Sequence, residues 1–229
     1  MRTFIYFILA ILTLPFATAP GAMAQDAANT AARYVVSYVE VAPAKKDATA
    51  ALLRQLADDS RKDPGAMRFE VLQRTAPSNQ FMILGIWKDQ QALDAHAAAA
   101  HTKQFRDKIA PMLIAPIDDR FLLPVTVGPA QSAPGAIYVV THVDVAPPNR
   151  DKIVAAFNAL AGPTRKEAGN LRFDVAQQTN RSNHFSMIEV WKDEASDEAH
   201  QLAEPAREFR NSFNPLAGAL FDQRSYKAL

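Results

Sequence analysis

The sequence contains no cysteine. That absence excludes disulfides, thiolate metal sites, iron–sulfur ligation, a cysteine nucleophile and the acylated cysteine of a lipoprotein. Charge of one sign is missing too: 25 Lys and Arg stand against 24 Asp and Glu, with no basic run. Neutralising many phosphates takes a concentrated cationic face, so nucleic-acid binding is set aside. After the first two dozen residues no apolar run is long enough to span a bilayer, since a spanning helix needs about 20 residues. What is present is an ordinary globular composition, 48% hydrophobic and 21% charged, which argues against disorder and coiled coil.

The N-terminus reads as a leader. Arg2 supplies a short positive start, Phe4 to Phe16 is almost unbroken apolar sequence, and Ala22-Met23-Ala24 precedes Gln25. This is the pattern of a secretory signal with a small-residue cleavage site, so residues 1–24 are expected to be a signal peptide. The expectation is a periplasmic or secreted protein with no membrane segment after cleavage; a retained N-terminal anchor is the alternative.

The rest of the chain is one unit written twice. Tyr34-Val35-Val36 returns as Tyr138-Val139-Val140, a shift of 104 (138 − 34). The same shift pairs Val41-Ala42-Pro43 with Val145-Ala146-Pro147, Trp87-Lys88-Asp89 with Trp191-Lys192-Asp193, and Ala95-His96 with Ala199-His200. Because the shift never changes, no insertion or deletion separates the copies. The units are taken as 33–124 and 137–229, joined by a Pro-, Gly- and Ala-rich linker at 125–136.

Each unit shows the same order of elements. A β-branched strand at Val35 to Val41 is followed by a helix, whose apolar spacing is clearest at Ile153, Phe157 and Leu160. The helix is predicted to stop at Asp63-Pro64-Gly65 and at Glu167-Ala168-Gly169, where glycine can adopt a left-handed conformation. Two strands follow around the loop Ala76-Pro77-Ser78-Asn79. A second helix is expected from Asp89 past Ile109 towards Met112, and a last strand near Ile117 to Leu123. This is β-α-β-β-α-β twice, an α+β fold of two ferredoxin-like repeats. The sheet face away from the helices is expected to carry Phe, Met, Val and Trp. It needs cover, and an identical sheet is already attached. The expected architecture is therefore two repeats packed sheet to sheet as an intrachain dimeric α/β-barrel, a pseudo-dimer within one chain, with further self-association left open.

Several marks carry a resemblance: Pro-Gly-Ala-Met-Arg-Phe-Glu-Val at 64–71, the strand from Asn79 to Trp87, Trp87-Lys88-Asp89 leading to Ala95-His96, then His101 and Phe105. Each half resembles an antibiotic biosynthesis monooxygenase (ABM) domain of the dimeric α/β-barrel superfamily, over about 90 residues, and is most similar to the quinol monooxygenase group. The first copy has both histidines of that group's pattern; the second keeps His200 but has Pro205 where His101 would pair. The usual Glu-x-Trp stands as Glu189-Val190-Trp191 in the second copy, whereas the first has Gly85. The asparagines of the polyketide-modifying and haem-degrading branches are missing: Ile83, Met187, Ser37 and Thr141 stand there.

The resemblance implies oxygenation of a small electron-rich aromatic, a quinol or phenol, by O2 without flavin, haem or metal. Such chemistry needs an apolar pocket, hydrogen bonds to a phenolate and a base. Histidine titrates near neutrality, so His96 and His200 are the candidate catalytic bases, against the alternative of helix-start histidines bonded to nearby backbone. His101 follows five residues on, about 140° around an ideal helix, so the pair is not expected to share a metal and no metal site is read. Trp87 and Trp191 are either a stacking wall for the substrate or core residues between helix and sheet. Glu189 shares their face by the period of two; inside the barrel it would pair with a cation or carry a raised pKa. Tyr38 and His142 project from the opposite face of the first strand and are further candidates for substrate contact. The unequal copies suggest unequal pockets. A non-catalytic barrel holding haem or a hydrophobic small molecule is the competing function, and a filled assembly barrel a third.

Overall fold

The computed structural model describes residues 31–229, and the expected leader lies outside them. The first half runs β1 (Arg33–Glu40), α1 (Lys46–Ser60), β2 (Ala66–Arg74), β3 (Gln80–Trp87), α2 (Gln90–Ala98), α3 (Ala100–Ile109) and β4 (Asp118–Thr126). The second half repeats the order as β5 (Ile137–Asp144), α4 (Arg150–Thr164), β6 (Asn170–Gln178), β7 (His184–Trp191), α5 (Glu194–Leu202), α6 (Glu204–Phe213) and β8 (Asp222–Ala228).

The strands close into one antiparallel barrel in the order β1-β3-β2-β8-β5-β7-β6-β4. Each half contributes a ferredoxin-like four-stranded sheet, and the edges join: Gln73 pairs with Lys227 across β2 and β8, and Leu123 with Gln177 across β4 and β6. Joining the edges satisfies backbone groups that an isolated sheet would leave open, so the internal pseudo-dimer is welded at both seams. This is also why β4 runs on through Pro124 to Thr126, beyond the expected end of the strand: Pro124 and Thr126 lie against Ala176 and Val175 of β6.

Alternation along the strands gives two cores. The barrel interior is filled by Val36, Leu72, Met82, Leu84, Val140 and Ile188, among others. The outer face packs on the helices, with Leu53, Phe69, Phe81, Ile83 and Trp87 in the first half and Phe157, Phe173, Phe185 and Phe209 in the second. Each such side chain contributes about 1.5–3 kcal/mol on full burial. Phe81, Phe185 and both tryptophans therefore lie beneath helices, and the face between the sheets is not where they reside, contrary to expectation.

A polar plug crosses the interior. Arg172, whose side chain is wholly buried, lies 2.7 Å from Asp174 and 3.2 Å from Glu70 of the other half. Tyr34 donates to Asp174 and Tyr138 to Glu70, the latter at 2.9 Å. Burial alone would lower the Arg172 pKa, but the two carboxylates outweigh it and hold the guanidinium above its ordinary value. With this plug and its apolar neighbours, the space between the sheets is occupied by side chains, which disfavours a haem-holding cavity there.

The helices depart from expectation in two ways. α1 and α4 end at Ser60 and Thr164, before the glycines. Gly65 and Gly169 do take φ of +85°, but they serve a close approach: a Cβ on Gly65 would sit 2.6 Å from Ala92. The expected long second helix is two helices, α2 and α3, broken at Ala99, which is extended at ψ 147°. Asp89 caps α2 by accepting from the Ala92 N–H at 2.8 Å.

Candidate active site

The break at Ala99 governs the chemistry of the first half. On one continuous helix, His96 and His101 would diverge; with the chain extended between them, their rings meet at 5.5 Å. Both face Asp63, from the turn after α1: His96 Nδ1 is 2.8 Å and His101 Nε2 3.2 Å from the same Asp63 Oδ2. The expected divergence of the two histidines around one continuous helix does not hold, because the helix breaks at Ala99 and both rings reach Asp63. Burial lowers the His96 pKa, with Asp63 pulling the other way. The His96 ring stacks on Trp87, centroids 4.4 Å apart at 27°.

Above this pair lies a partly open cavity of about 260 Å³ between β1, β3 and the helices. Its walls are Val35, Leu56, Phe69, Ile83, Leu93 and Phe105, with Trp87 and His96. Ser37, Arg106 and Asp119 give it a polar margin: Ser37 and Arg106 both donate to Asp119, the arginine at 2.9 Å. Gly85 is part of its lining. A Cβ there would fall 2.9 Å from the Trp87 Nε1, so glycine leaves the indole room where it stands.

The second half keeps the framework and fills the space. His200 stacks on Trp191 at 4.7 Å and bonds Glu167, the counterpart of Asp63, through Nδ1 at 2.9 Å. Glu189 occupies the place of Gly85; its Oε2 accepts from Trp191 Nε1 at 3.2 Å and lies 3.4 Å from His200 Nε2. What remains open is about 10 Å³. Glu189 is 1% exposed and faces the helices. Burial pushes its pKa up to about 8, reinforced by Asp197 and Glu167 and opposed by the Trp191 N–H.

This carboxyl should leave a signature in stability. Between its ordinary 4.5 and about 8 the folded chain keeps a proton that the unfolded chain has lost, so stability falls as pH rises across that window, by up to about 1.4 kcal/mol per unit. Glu189→Gln removes the effect. Its melting temperature relative to the parent should therefore climb from about pH 5 to about pH 8 and then level, measured with His200, Glu167 and Asp197 intact. A difference independent of pH would mean that the carboxyl ionises freely.

The remaining candidates sit elsewhere. Tyr38 and His142 face the barrel interior, hydrogen-bonded to each other, with Arg120 and Arg224 about the Tyr38 ring at 4.9 and 5.0 Å. Burial pushes Tyr38 up and lowers His142 to about 4. His142 borders an open recess of about 560 Å³ at one barrel end, and another of about 420 Å³ lies beside Arg61, Arg68 and Glu70. Both are larger than the helix-side cavity, whose charged residues Lys103, Arg106, Asp107 and Asp119 accompany a wall that is otherwise mostly apolar. The structure thus gathers Trp87, His96 and His101 in the first half and Trp191, His200 and Glu189 in the second, and separates both groups from Tyr38 and His142. Asp63 was not anticipated. The signal was available, since an acid recurs as Glu167 at the shift of 104.

Comparison with known proteins agrees with this duplication. The family described as "Antibiotic biosynthesis monooxygenase" matches twice, at residues 32–108 and 136–212. A Bacillus subtilis (strain 168) protein described as "Putative monooxygenase YcnE" is 29% identical over 82 residues, covering 36% of this chain and 86% of that protein. Among solved structures, a "putative monooxygenase" of Fusobacterium nucleatum superposes with a TM-score of 0.79 at 16% identity, covering 87% of this chain and 93% of the other. One from Lactobacillus acidophilus NCFM gives 0.74 at 14% identity, covering 86% and 94%. At such identities these two likenesses speak for the fold.

Proposed function

This chain belongs to the antibiotic biosynthesis monooxygenase family, and from that premise we propose that its first half oxygenates a small electron-rich aromatic, a quinol or phenol, with O2 and no bound cofactor. The observation that carries the proposal is the largely apolar cavity beside Gly85 with His96 in its wall, a space that Glu189 fills in the other half. At about 260 Å³ it lies just under the usual range for ligand pockets, roughly 300–1,000 Å³, which favours one- or two-ring substrates.

The chemistry follows from what surrounds the cavity. Asp63 engages His96 through Nδ1, so the other ring nitrogen is the one to take the phenolic proton. In the second half that nitrogen meets Glu189; here glycine leaves room for a substrate hydroxyl. Apolar walls strengthen the interaction between imidazolium and phenolate once both form. The phenolate then gives one electron to O2, the radicals combine at a ring C–H carbon, and the O–O bond breaks. One oxygen atom stays as a quinone carbonyl, and the other leaves as water with the ring and phenolic hydrogens. The substrate supplies all the electrons, so no external reductant is consumed. Ser37, Arg106 and Asp119 suit a second polar group at the far margin. The leader read at residues 1–24 supports work in the periplasm or medium.

Oxygen uptake by the purified chain with a panel of one- and two-ring hydroquinones and phenols, chelator present and autoxidation subtracted, tests the proposal. We expect uptake with label from ¹⁸O2 entering the product quinone. An absence of uptake across the panel would overturn it.

A further inference from the structure

We propose that Asp63, His96 and His101 form a binding site for one divalent transition-metal ion of the zinc, cobalt or nickel class. Three segments deliver the donors: the turn after α1, the end of α2 and the start of α3. One oxygen and two ring nitrogens lie within 4.8 Å of one another, and among the described residues they are the single such group of three. The nitrogens stand 2.8 and 3.2 Å from the shared oxygen. A tetrahedral ion with bonds of about 2.0–2.1 Å holds its ligands roughly 3.3–3.4 Å apart, so both nitrogen–oxygen separations are within a few tenths of an ångström to about half an ångström of that spacing, and the two nitrogens lie no more than 4.8 Å apart.

Two further observations point to a ligand. His101 Nε2 is buried yet makes no hydrogen bond, despite its nearness to Asp63; a buried polar atom of this kind calls for an explanation. The second half supplies an internal control. It keeps the carboxylate–histidine pair as Glu167 and His200 but has Pro205 in place of His101. Both halves thus keep the pair, and His101 belongs to the first alone. Two imidazoles and one carboxylate suit zinc, cobalt, nickel or iron; magnesium and calcium favour all-oxygen sets. Thr102 Oγ1, 3.4 Å from His96 Nδ1, is a further oxygen beside the group.

One consequence rests on the function proposed above. A metal on Nδ1 leaves the proton on the other nitrogen of His96, which then cannot accept one from a phenol. The metal-bound form is the resting state of that reaction, and zinc should slow it while chelator restores it.

The direct test needs no substrate. Tag-free full chain, stripped with chelator and dialysed, is titrated with Co²⁺ alone and followed by visible absorption and calorimetry. We expect one ion per chain with the bands of a low-symmetry nitrogen–oxygen site. His101→Ala and Asp63→Asn should each weaken binding by at least about tenfold, the lower bound for losing even an outer-sphere partner. His200→Ala should leave the stoichiometry at one. Folding of His101→Ala is checked by its melt without metal, and Pro205 shows that the fold accepts that position without histidine. Absence of saturable binding, or binding unchanged in His101→Ala, overturns the site and leaves oxygen uptake to be judged separately.

Discussion

Gly85→Glu should remove turnover while leaving the fold intact. The substitution plants in the first half the carboxylic side chain that occupies the second, where about 10 Å³ remains open against about 260 Å³ here. The new Cβ would meet the Trp87 indole at 2.9 Å, so the ring must turn aside. Trp191 shows that the same framework accommodates a glutamate beside its tryptophan, with a 3.2 Å hydrogen bond between them. Because substrate loses its place, kcat/KM should fall at least about 100-fold, a loss of ~2.7 kcal/mol of transition-state stabilisation. Oxygen uptake alongside a circular-dichroism melt checks this. Activity within a few-fold of the parent, in a folded variant, would mean that chemistry happens elsewhere.

His96→Ala carries the second large effect. General-base catalysis contributes about 10²–10⁴-fold, and kcat should drop by that order with KM changing far less. His200→Ala should leave kcat unchanged, because that ring lies against Glu189 and Glu167 with almost no open space beside it. A purely structural role for His96 predicts loss of stability without rescue. A base predicts partial recovery when imidazole is added, since the vacated cavity admits it. If the two alanine variants lose activity equally, or imidazole restores nothing, the role given to His96 is wrong.

Much of the architecture was legible because the chain states it twice. The constant shift of 104 revealed the duplication, and β-branched runs and turn residues gave the order of elements within each copy. Closure of the barrel followed from an apolar sheet face that could not stay wet. Side-chain direction was harder. A period of two sorts Ser37 from Tyr38 and Thr141 from His142, and puts Glu189 with Trp191, but alternation alone neither relates one strand to the next nor says which face meets the helices. Only the packing of α1 and α3 on Phe69, Phe81 and Trp87 decides it.

The meeting of His96 and His101 at Asp63 was hidden for a specific reason. His96 and His101 diverge on any regular helix, and the first copy has no glycine or proline between them to announce a break. The second copy does: Pro205, at the first turn of α6, is where a helix commonly begins. Reading that proline back across the duplication would have separated α2 from α3 and brought the histidines together. The cavity had a sequence mark as well, Gly85 where Glu189 stands in the other copy, but its volume depends on how Trp87 lies, which only coordinates give.

The most direct test of a single working pocket is an anaerobic calorimetric titration of the parent chain and Gly85→Glu with 1,4-dihydroxynaphthalene. We expect one molecule bound per chain in the parent and none in the variant. Two equal sites in the parent, or undiminished binding by the variant, would contradict the assignment of function to the first half.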